Sequence, residues 1–485
     1  MNYKMVGRFM SLVIITEAVF MVPAWIISLI HGEATSITAF ATTIIGSILV
    51  GLLMFMLCRR AEMRFYAREG LVSAGLGWAI MSLVGCMPFF ISGEIPAFID
   101  AYFETVSGFT TTGASILTNV EAMSYGMLYW RSFTHWLGGM GVMVFLLAVI
   151  PASGKGNGFT MHLLRAESPG PNVGKLVPRM RQTATILYTL YVALTILCFV
   201  FLLFGGMSSF EAICTAYGTA GTGGFGIKND SMAGYSVYIQ NVCTVFMILF
   251  GVNFTCYYML LLGKVKDVLK DEELKLYLGL IFASVVLISI NTRSMFHSLG
   301  ETVQQVFFQV ATIITTTGFA TTDFDLWPTF SKAILIILMF CGASAGSTGG
   351  GFKCGRILLL FKNLHRNLQK TLNPQKVLVV RNNGQVVSEK VLDNLNTYLI
   401  AYVMITIVSF LVICLDGKSL TTTMTSVIAC FNNIGPGLDG VGPTCNYHDF
   451  SILSKIILIF DMLAGRLEIF PIMILLSKNT WKKLG

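Results

Sequence analysis

Two runs of threonine closed by glycine, Thr110-Thr111-Thr112-Gly113 and Thr315-Thr316-Thr317-Gly318, stand between long apolar stretches. Such runs offer neutral oxygens, from backbone carbonyls and from hydroxyls. A ring of carbonyls can replace the hydration shell of an ion. Glycine lets successive carbonyls turn inward because it reaches positive φ at little steric cost, and the β-branched threonines before it favour extended backbone. Neutral oxygens suit a desolvated monovalent cation. The carboxylate ring expected of a divalent-selective site is missing from these segments.

Two further segments fall into the same series. One contains Thr219, Ala220, Gly221, Thr222 and Gly223; the other contains Asn432, Asn433, Ile434 and Gly435. Gly113, Gly223, Gly318 and Gly435 recur roughly every 100 residues, a fixed period that signals repeated architecture. The second segment also offers Gly221 and Gly224. Aligned on Glu104 and Glu211, it needs an inserted residue or a longer helix, which favours Gly223, with Gly221 as the competitor. In the fourth, asparagines and isoleucine replace threonine, so carbonyls remain but hydroxyl ligands do not. One such run would pass for an ordinary polar loop; four at matching positions would not.

The elements that must hold these segments are membrane spans. Hydrophobic residues make up 54% of the 485 and charged residues 12%, against about a quarter charged in a soluble domain. Candidate spans lie near 9–30, 37–57, 72–91, 126–150, 183–205, 237–262, 276–292, 331–361, 393–415 and 451–477. The first, behind Lys4 and Arg8, is too long for a signal peptide and reads as a retained span. After the first two spans the unit is span, short semi-polar segment, glycine, span, repeated four times. Each semi-polar segment is too short to cross a bilayer and must enter and leave by one face. Irregular backbone at that depth survives where it lines water or is buried in protein. The expected fold is therefore an all-α polytopic membrane protein, with four pseudo-fourfold span–pore helix–span repeats around one central pore plus two extra N-terminal spans. The divisions are 1–69, 70–151, 183–264, 273–362 and 391–485.

Lysines and arginines concentrate at the N-terminus, in 58–69, 151–182, 263–275 and 362–392, and in the tail, although the whole chain carries only +8. That asymmetry places both termini and these loops in the cytoplasm, and leaves an acidic outer face that draws cations. It also explains the basic charge without nucleic-acid binding. The eleven cysteines are scattered through apolar spans and form no metal or disulfide pattern. No activated nucleophile, metal-ligand spacing or phosphorylatable aspartate motif appears, so no enzyme and no cofactor is expected.

The chain resembles the Trk/Ktr/HKT superfamily of potassium transporters, and within it the bacterial branch with two additional N-terminal spans. The carriers are "FETVSGFTTTGAS", "TAGTGGFG", "TTTGFATTD", "NNIGPGLD" and "CGASAGSTGGGFKCGR". The resemblance implies potassium uptake through a filter with glycine in every quarter, in the bacterial inner membrane. It implies a cytosolic ring of nucleotide-binding regulatory subunits responding to ATP or NAD(H), for which the basic loops 151–182, 263–275 and 362–392 are candidate docking surfaces, and a homodimer of pores.

Segment 331–361 is too long for a plain span, and its glycines and serines weaken any helix there. The resemblance assigns Ala345, Gly346, Ser347, Thr348, Gly349, Gly350 and Gly351 to an intramembrane loop that obstructs the pore; close helix packing is the competing explanation. The stretch "GSTGGGFK" fails as a phosphate loop because Phe352 precedes Lys353 and Cys354 follows it. Asp461, Arg466 and Glu468 fall inside the last span, where charges face a cavity or a partner. Asp461 and Glu468 would share a helix face and Arg466 point elsewhere. Arg466 is expected below the filter, as the resemblance implies, or else in a structural ion pair; His135 is read as a packing residue. The rival function is a secondary transporter coupling potassium to proton or sodium flow, which would call for a midplane site between inverted repeats.

Overall fold

The computed structural model of the chain describes residues 1–59, 67–141 and 180–482. Residues 151–179 of the expected basic loop 151–182, and residues 142–150 of the span at 126–150, lie outside them.

Helices α1 (Tyr3–His31) and α2 (Ala34–Leu57) form an N-terminal hairpin closed by Gly32, whose left-handed backbone ends α1. The first repeat holds α3 (Ala67–Gly85) and α4 (Met87–Ser92), the short α5 (Phe98–Phe109) and then α6 (Tyr125–Gly139). The second holds α7 (Met180–Phe204), the short α8 (Ser209–Ala220), α9 (Val237–Phe250) and α10 (Phe254–Leu261), followed by α11 (Val265–Lys270). The third holds α12 (Glu272–Thr292), the short α13 (Leu299–Ile314), α14 (Thr329–Cys341) and α15 (Cys354–Leu372). A small hairpin, β1 (Arg381–Asn382) and β2 (Gln385–Val386), leads to the fourth: α16 (Glu389–Ile413), the short α17 (Leu420–Phe431), α18 (Ile452–Arg466) and α19 (Phe470–Leu476).

The short helices have 12, 12, 16 and 12 residues. At 1.5 Å per residue they reach about 18–24 Å, less than the roughly 30 Å of hydrocarbon. Their second halves are buried, as in the run from Phe103 to Phe109. Serine starts several helices by accepting a backbone N–H: Ser208, Ser298 and Ser419 before short helices, Ser236 and Ser451 before second spans. The fold is all-α and polytopic, with six described helices long and apolar enough to cross a membrane, or seven counting the bent pair α9–α10.

The quarters join in one rotational sense. The second span of each packs on the short helix of the next: α6 on α8, α9 on α13, α14 on α17, and α18 back on α5. The arrangement is a closed ring of four.

Sequence reading expected one broken span, the third. Among the described residues, the second spans of the second and fourth repeats break as well. After α6 the chain turns through Gly141 at φ 74°, α9 and α10 meet at 87°, α14 and α15 are separated by 342–353, and α18 ends before Glu468 and Ile469 at φ 58° and 67°. Close approach explains the glycines there: a Cβ on Gly138 or Gly465 would fall within 3.0 Å of the carbonyl of Phe109 or Phe431, at the last turn of a short helix.

Candidate functional site

Each short helix ends the same way. The residue after it, Thr110, Gly221, Thr315 or Asn432, caps the helix and donates its N–H to the carbonyl four residues back. The next residue turns left-handed: Thr111 (φ 55°), Thr222 (53°), Thr316 (59°) and Asn433 (55°). The third donates to the carbonyl five back, at 2.8–2.9 Å for Thr112, Gly223, Thr317 and Ile434. The fourth is a glycine with positive φ: Gly113 (80°), Gly224 (78°), Gly318 (88°) and Gly435 (94°). Glycine is the usual residue at a left-handed helix terminus. Three β-branched threonines in that conformation are outliers costing about 1–3 kcal/mol each, a strain that clusters at functional sites.

The repeated geometry corrects the second segment. Gly224, and not Gly223 or Gly221, is the counterpart of Gly113, Gly318 and Gly435; Thr219 and Ala220 belong to the last turn of α8. The misleading anchor is Glu211. It sits at the start of α8 in a capping box with Ser208, whereas Glu104 lies mid-helix and buried, so the two glutamates are not equivalent.

The four glycines close a second ring. A Cβ on Gly113 would collide with the carbonyl oxygen of Gly223, on Gly224 with that of Thr317, on Gly318 with that of Ile434, and on Gly435 with that of Thr112, every approach being under 3.0 Å. Each glycine thus abuts the preceding residue of the next segment, and the four line one cavity of about 240 Å³ that opens outward. The short helices point their C-termini at this ring, so the negative ends of four helix dipoles face the same axis, which favours a cation. The third-position carbonyls accept no hydrogen bond from the described residues, which leaves them available to an ion.

Beneath the ring lies the segment between α14 and α15. Its bonds reach three quarters: Gly350 donates its N–H to Thr316 Oγ1 (2.6 Å), Phe254 donates its N–H to the Gly346 carbonyl (3.0 Å), and Arg466 donates to the Thr348 carbonyl (2.8 Å). A Cβ on Gly349 or Gly350 would come within 3.0 Å of the carbonyls of Thr315 or Asn432. The glycines serve backbone approach to the ring, not helix–helix packing. Lys353 Nζ donates to the Gly349 carbonyl, while Glu273 accepts the N–H groups of Ala345 (2.6 Å) and Gly355 (2.9 Å), one near each end of the loop.

The chain as a whole is similar to known proteins. The family model for TrkH, a cation transport protein, matches residues 36–483. The Trk system potassium uptake protein TrkH of Escherichia coli K12 is 34% identical over 491 residues, covering 100% of both chains. The chain belongs to the TrkH family. Trk system potassium uptake protein TrkG of the same organism is 30% identical over 467 residues, 95% of each chain. The crystal structure of the potassium transporter TrkH from Vibrio parahaemolyticus matches with a TM-score of 0.89 and 29% identity, over 99% of this chain and 100% of that one. The family is one of membrane transport and not of enzymes.

Within this TrkH-family chain each segment is braced differently. In the first and third, the hydroxyls of the first and third threonines bond each other, Thr110 to Thr112 at 2.7 Å and Thr315 to Thr317 at 2.8 Å. Those hydroxyls were expected as ligands; here they clasp the backbone. In the second segment the imidazole of His135 fills the space instead. A Cβ on Gly223 would strike its ring and one on Gly221 its carbonyl, and the ring stacks on Phe225 at 4.1 Å. In the fourth, Tyr402 donates to Asn432 Oδ1 (3.0 Å), and Asn433 Nδ2 donates to Thr112 Oγ1 and the Met462 carbonyl (both 2.9 Å).

Sequence reading missed one buried ion pair. Arg131 Nε donates to Glu104 Oε1 at 2.7 Å, its Nη1 donates to the Gly226 carbonyl (2.9 Å), and its guanidinium lies 3.5 Å over the Phe225 ring. Glu104 also accepts from Ser115 Oγ and from the N–H of Ile116. The pair ties the first segment to the second. Its signal was present: the criterion that singled out Asp461 applies equally to an arginine in "LYWRSF".

Arg466 ends α18 and also donates to the carbonyls of Gly138 (2.5 Å) and Gly139 (2.7 Å), bridging α18, the end of α6 and the loop. Asp461 accepts from Ser409 Oγ at 2.7 Å. Because α18 stops at Arg466, Glu468 does not continue Asp461's helix face; it pairs with Arg356 at 2.5 Å. At the outer surface, the hydroxyls of Ser419 and Thr422 hold the Asp439 carboxyl below its ordinary range, so it stays charged there.

Proposed function

We propose that this chain is the potassium-conducting membrane subunit of an uptake system, with the ion desolvated by backbone oxygens of Thr110–Gly113, Gly221–Gly224, Thr315–Gly318 and Asn432–Gly435. The observation that carries this reading is the closed ring in which Gly113, Gly224, Gly318 and Gly435 each abut the next segment's carbonyl and line one cavity. The relatives' names support potassium as the permeant.

Residues 345–351 and Arg466 form the gate beneath the filter. The loop blocks the path and the guanidinium raises the barrier to cations. Control comes from a cytosolic, TrkA-like nucleotide-binding subunit responding to ATP or NAD(H). Its docking surfaces are the basic segments around 263–275 and 362–392. The latter carries the β1–β2 hairpin, bonded through Asn383 to Asp271 and Glu272, immediately before the loop-holding Glu273. The chain works as a homodimer in the bacterial inner membrane with both termini cytoplasmic, and potassium is its only ligand.

Rubidium uptake into vesicles containing the purified chain, with sodium as competitor, tests this. Uptake without an imposed proton or sodium gradient, resisted by sodium only weakly, is expected. Uptake that requires such a gradient assigns the chain to coupled secondary transport instead.

A further inference from the structure

The fourth segment lacks the internal clasp that the first and third possess, because Asn432 and Ile434 stand where paired threonines would be. Of the four nearest carbonyl approaches, the one between the fourth segment and the first is also the longest. A Cβ on Gly435 would lie 2.7 Å from the Thr112 carbonyl, and the other three approaches are closer. Across this joint Asn433 Nδ2 donates to Thr112 Oγ1 at 2.9 Å, and further contacts come from outside the ring.

Tyr447 makes two of them. Its hydroxyl donates to the Gly435 carbonyl at 2.8 Å, and its backbone N–H donates to the Ser115 carbonyl, also at 2.8 Å. One residue thus touches the fourth segment and the chain just past the first. Its own position is fixed: it is 2% exposed, with Phe103 at 5.7 Å and Phe450 stacked at 5.5 Å. A carbonyl has two lone pairs, so a donor on one sets the oxygen's direction and leaves the other for an ion.

We propose that Tyr447 is a specificity-determining residue. Its hydroxyl orients the Gly435 carbonyl, and its backbone fixes the spacing of segments four and one, so the residue contributes to discrimination between potassium and sodium. The inference rests on the filter reading above and adds a residue that neither the repeats nor the glycine pattern points to.

Tyr447→Phe removes the phenolic oxygen and keeps the ring packing. Reversal potentials in mixed potassium and sodium are measured on the full chain in vesicles, beside wild type and Gly318→Ser, with thermal unfolding in detergent confirming that each variant is folded. The expected result is continued potassium flux with the preference over sodium reduced about two- to tenfold, the factor corresponding to one ordinary hydrogen bond. A preference unchanged in Tyr447→Phe but lowered in Gly318→Ser overturns this inference alone. Preferences unchanged in both overturn the filter reading with it.

Discussion

Replacing Gly318 with serine tests the ring at a tight joint. At φ 88° an L side chain adopts the left-handed conformation at a cost of about 1–2 kcal/mol. Its Cβ would also strike the Ile434 carbonyl and lie 3.0 Å from Pro436 Cδ, when ordinary contact begins at 3.4 Å. Relief requires the Ile434 carbonyl to retreat by about an ångström. That displacement exceeds the difference in radius between sodium and potassium, so one side of the ring would no longer be matched to the larger ion. The expected loss of preference is at least tenfold, or about 1.4 kcal/mol, read as a shift of reversal potential in mixed ions. The nearest approaches also order the effects: Gly435→Ser, whose Cβ would lie 2.7 Å from a carbonyl oxygen, farther than at Gly318, should shift it less than Gly318→Ser. Folded variants with wild-type reversal potentials, or the opposite order, would refute the assignment of these glycines to the ion path.

Three other outcomes are expected. Deleting 345–351 raises basal rubidium flux, and Glu273→Ala, which frees both ends of the loop, raises it at least about tenfold, since each charge-assisted bond lost is worth roughly 1.5–3 kcal/mol; low flux with folded protein in the membrane returns the loop to a packing role. Arg466→Ala increases cation flux, because a unit positive charge repels a cation by on the order of 4 kcal/mol at a separation of about 4 Å and an effective dielectric constant of about 20, and an unaltered rate leaves Arg466 as a strut between α18 and α6. Arg131→Ala strands the Glu104 carboxylate among buried groups and destabilises by about 3–5 kcal/mol, seen as a lower unfolding midpoint in detergent; the double change Glu104→Gln with Arg131→Met should cost less, and an equal or larger cost would show the pair is not acting as a unit.

Much of the architecture was legible because it rests on length and period. Runs such as 9–30 and 393–415 have one way to satisfy their backbone in lipid, and the short segments after Ser208, Ser298 and Ser419 announce their starts with capping hydroxyls. The threonine–glycine runs at Thr110 and Thr315 marked the site for the same reason: few environments use both residues so regularly. The second segment was misregistered because its shape is set by His135, which is distant in sequence. Where the first and third repeats place a threonine, a ring from α6 leaves room only for glycine, and three glycines in four residues give no local sign of which turns left-handed. The breaks after Phe250 and Arg466 escaped for a related reason. Each is a few residues long in an otherwise apolar run, and only the longer interruption at 342–353 disturbs composition enough to register.

The place of His135 has an evolutionary corollary. Four copies of one motif invite the idea that the quarters are interchangeable, yet a threonine transplanted to position 223 meets the imidazole before it meets anything else. Any lineage that restores the fuller motif in the second quarter must first, or at the same step, shrink residue 135. The two sites would have to change together, and the four quarters match more closely in their main chain than in their side chains.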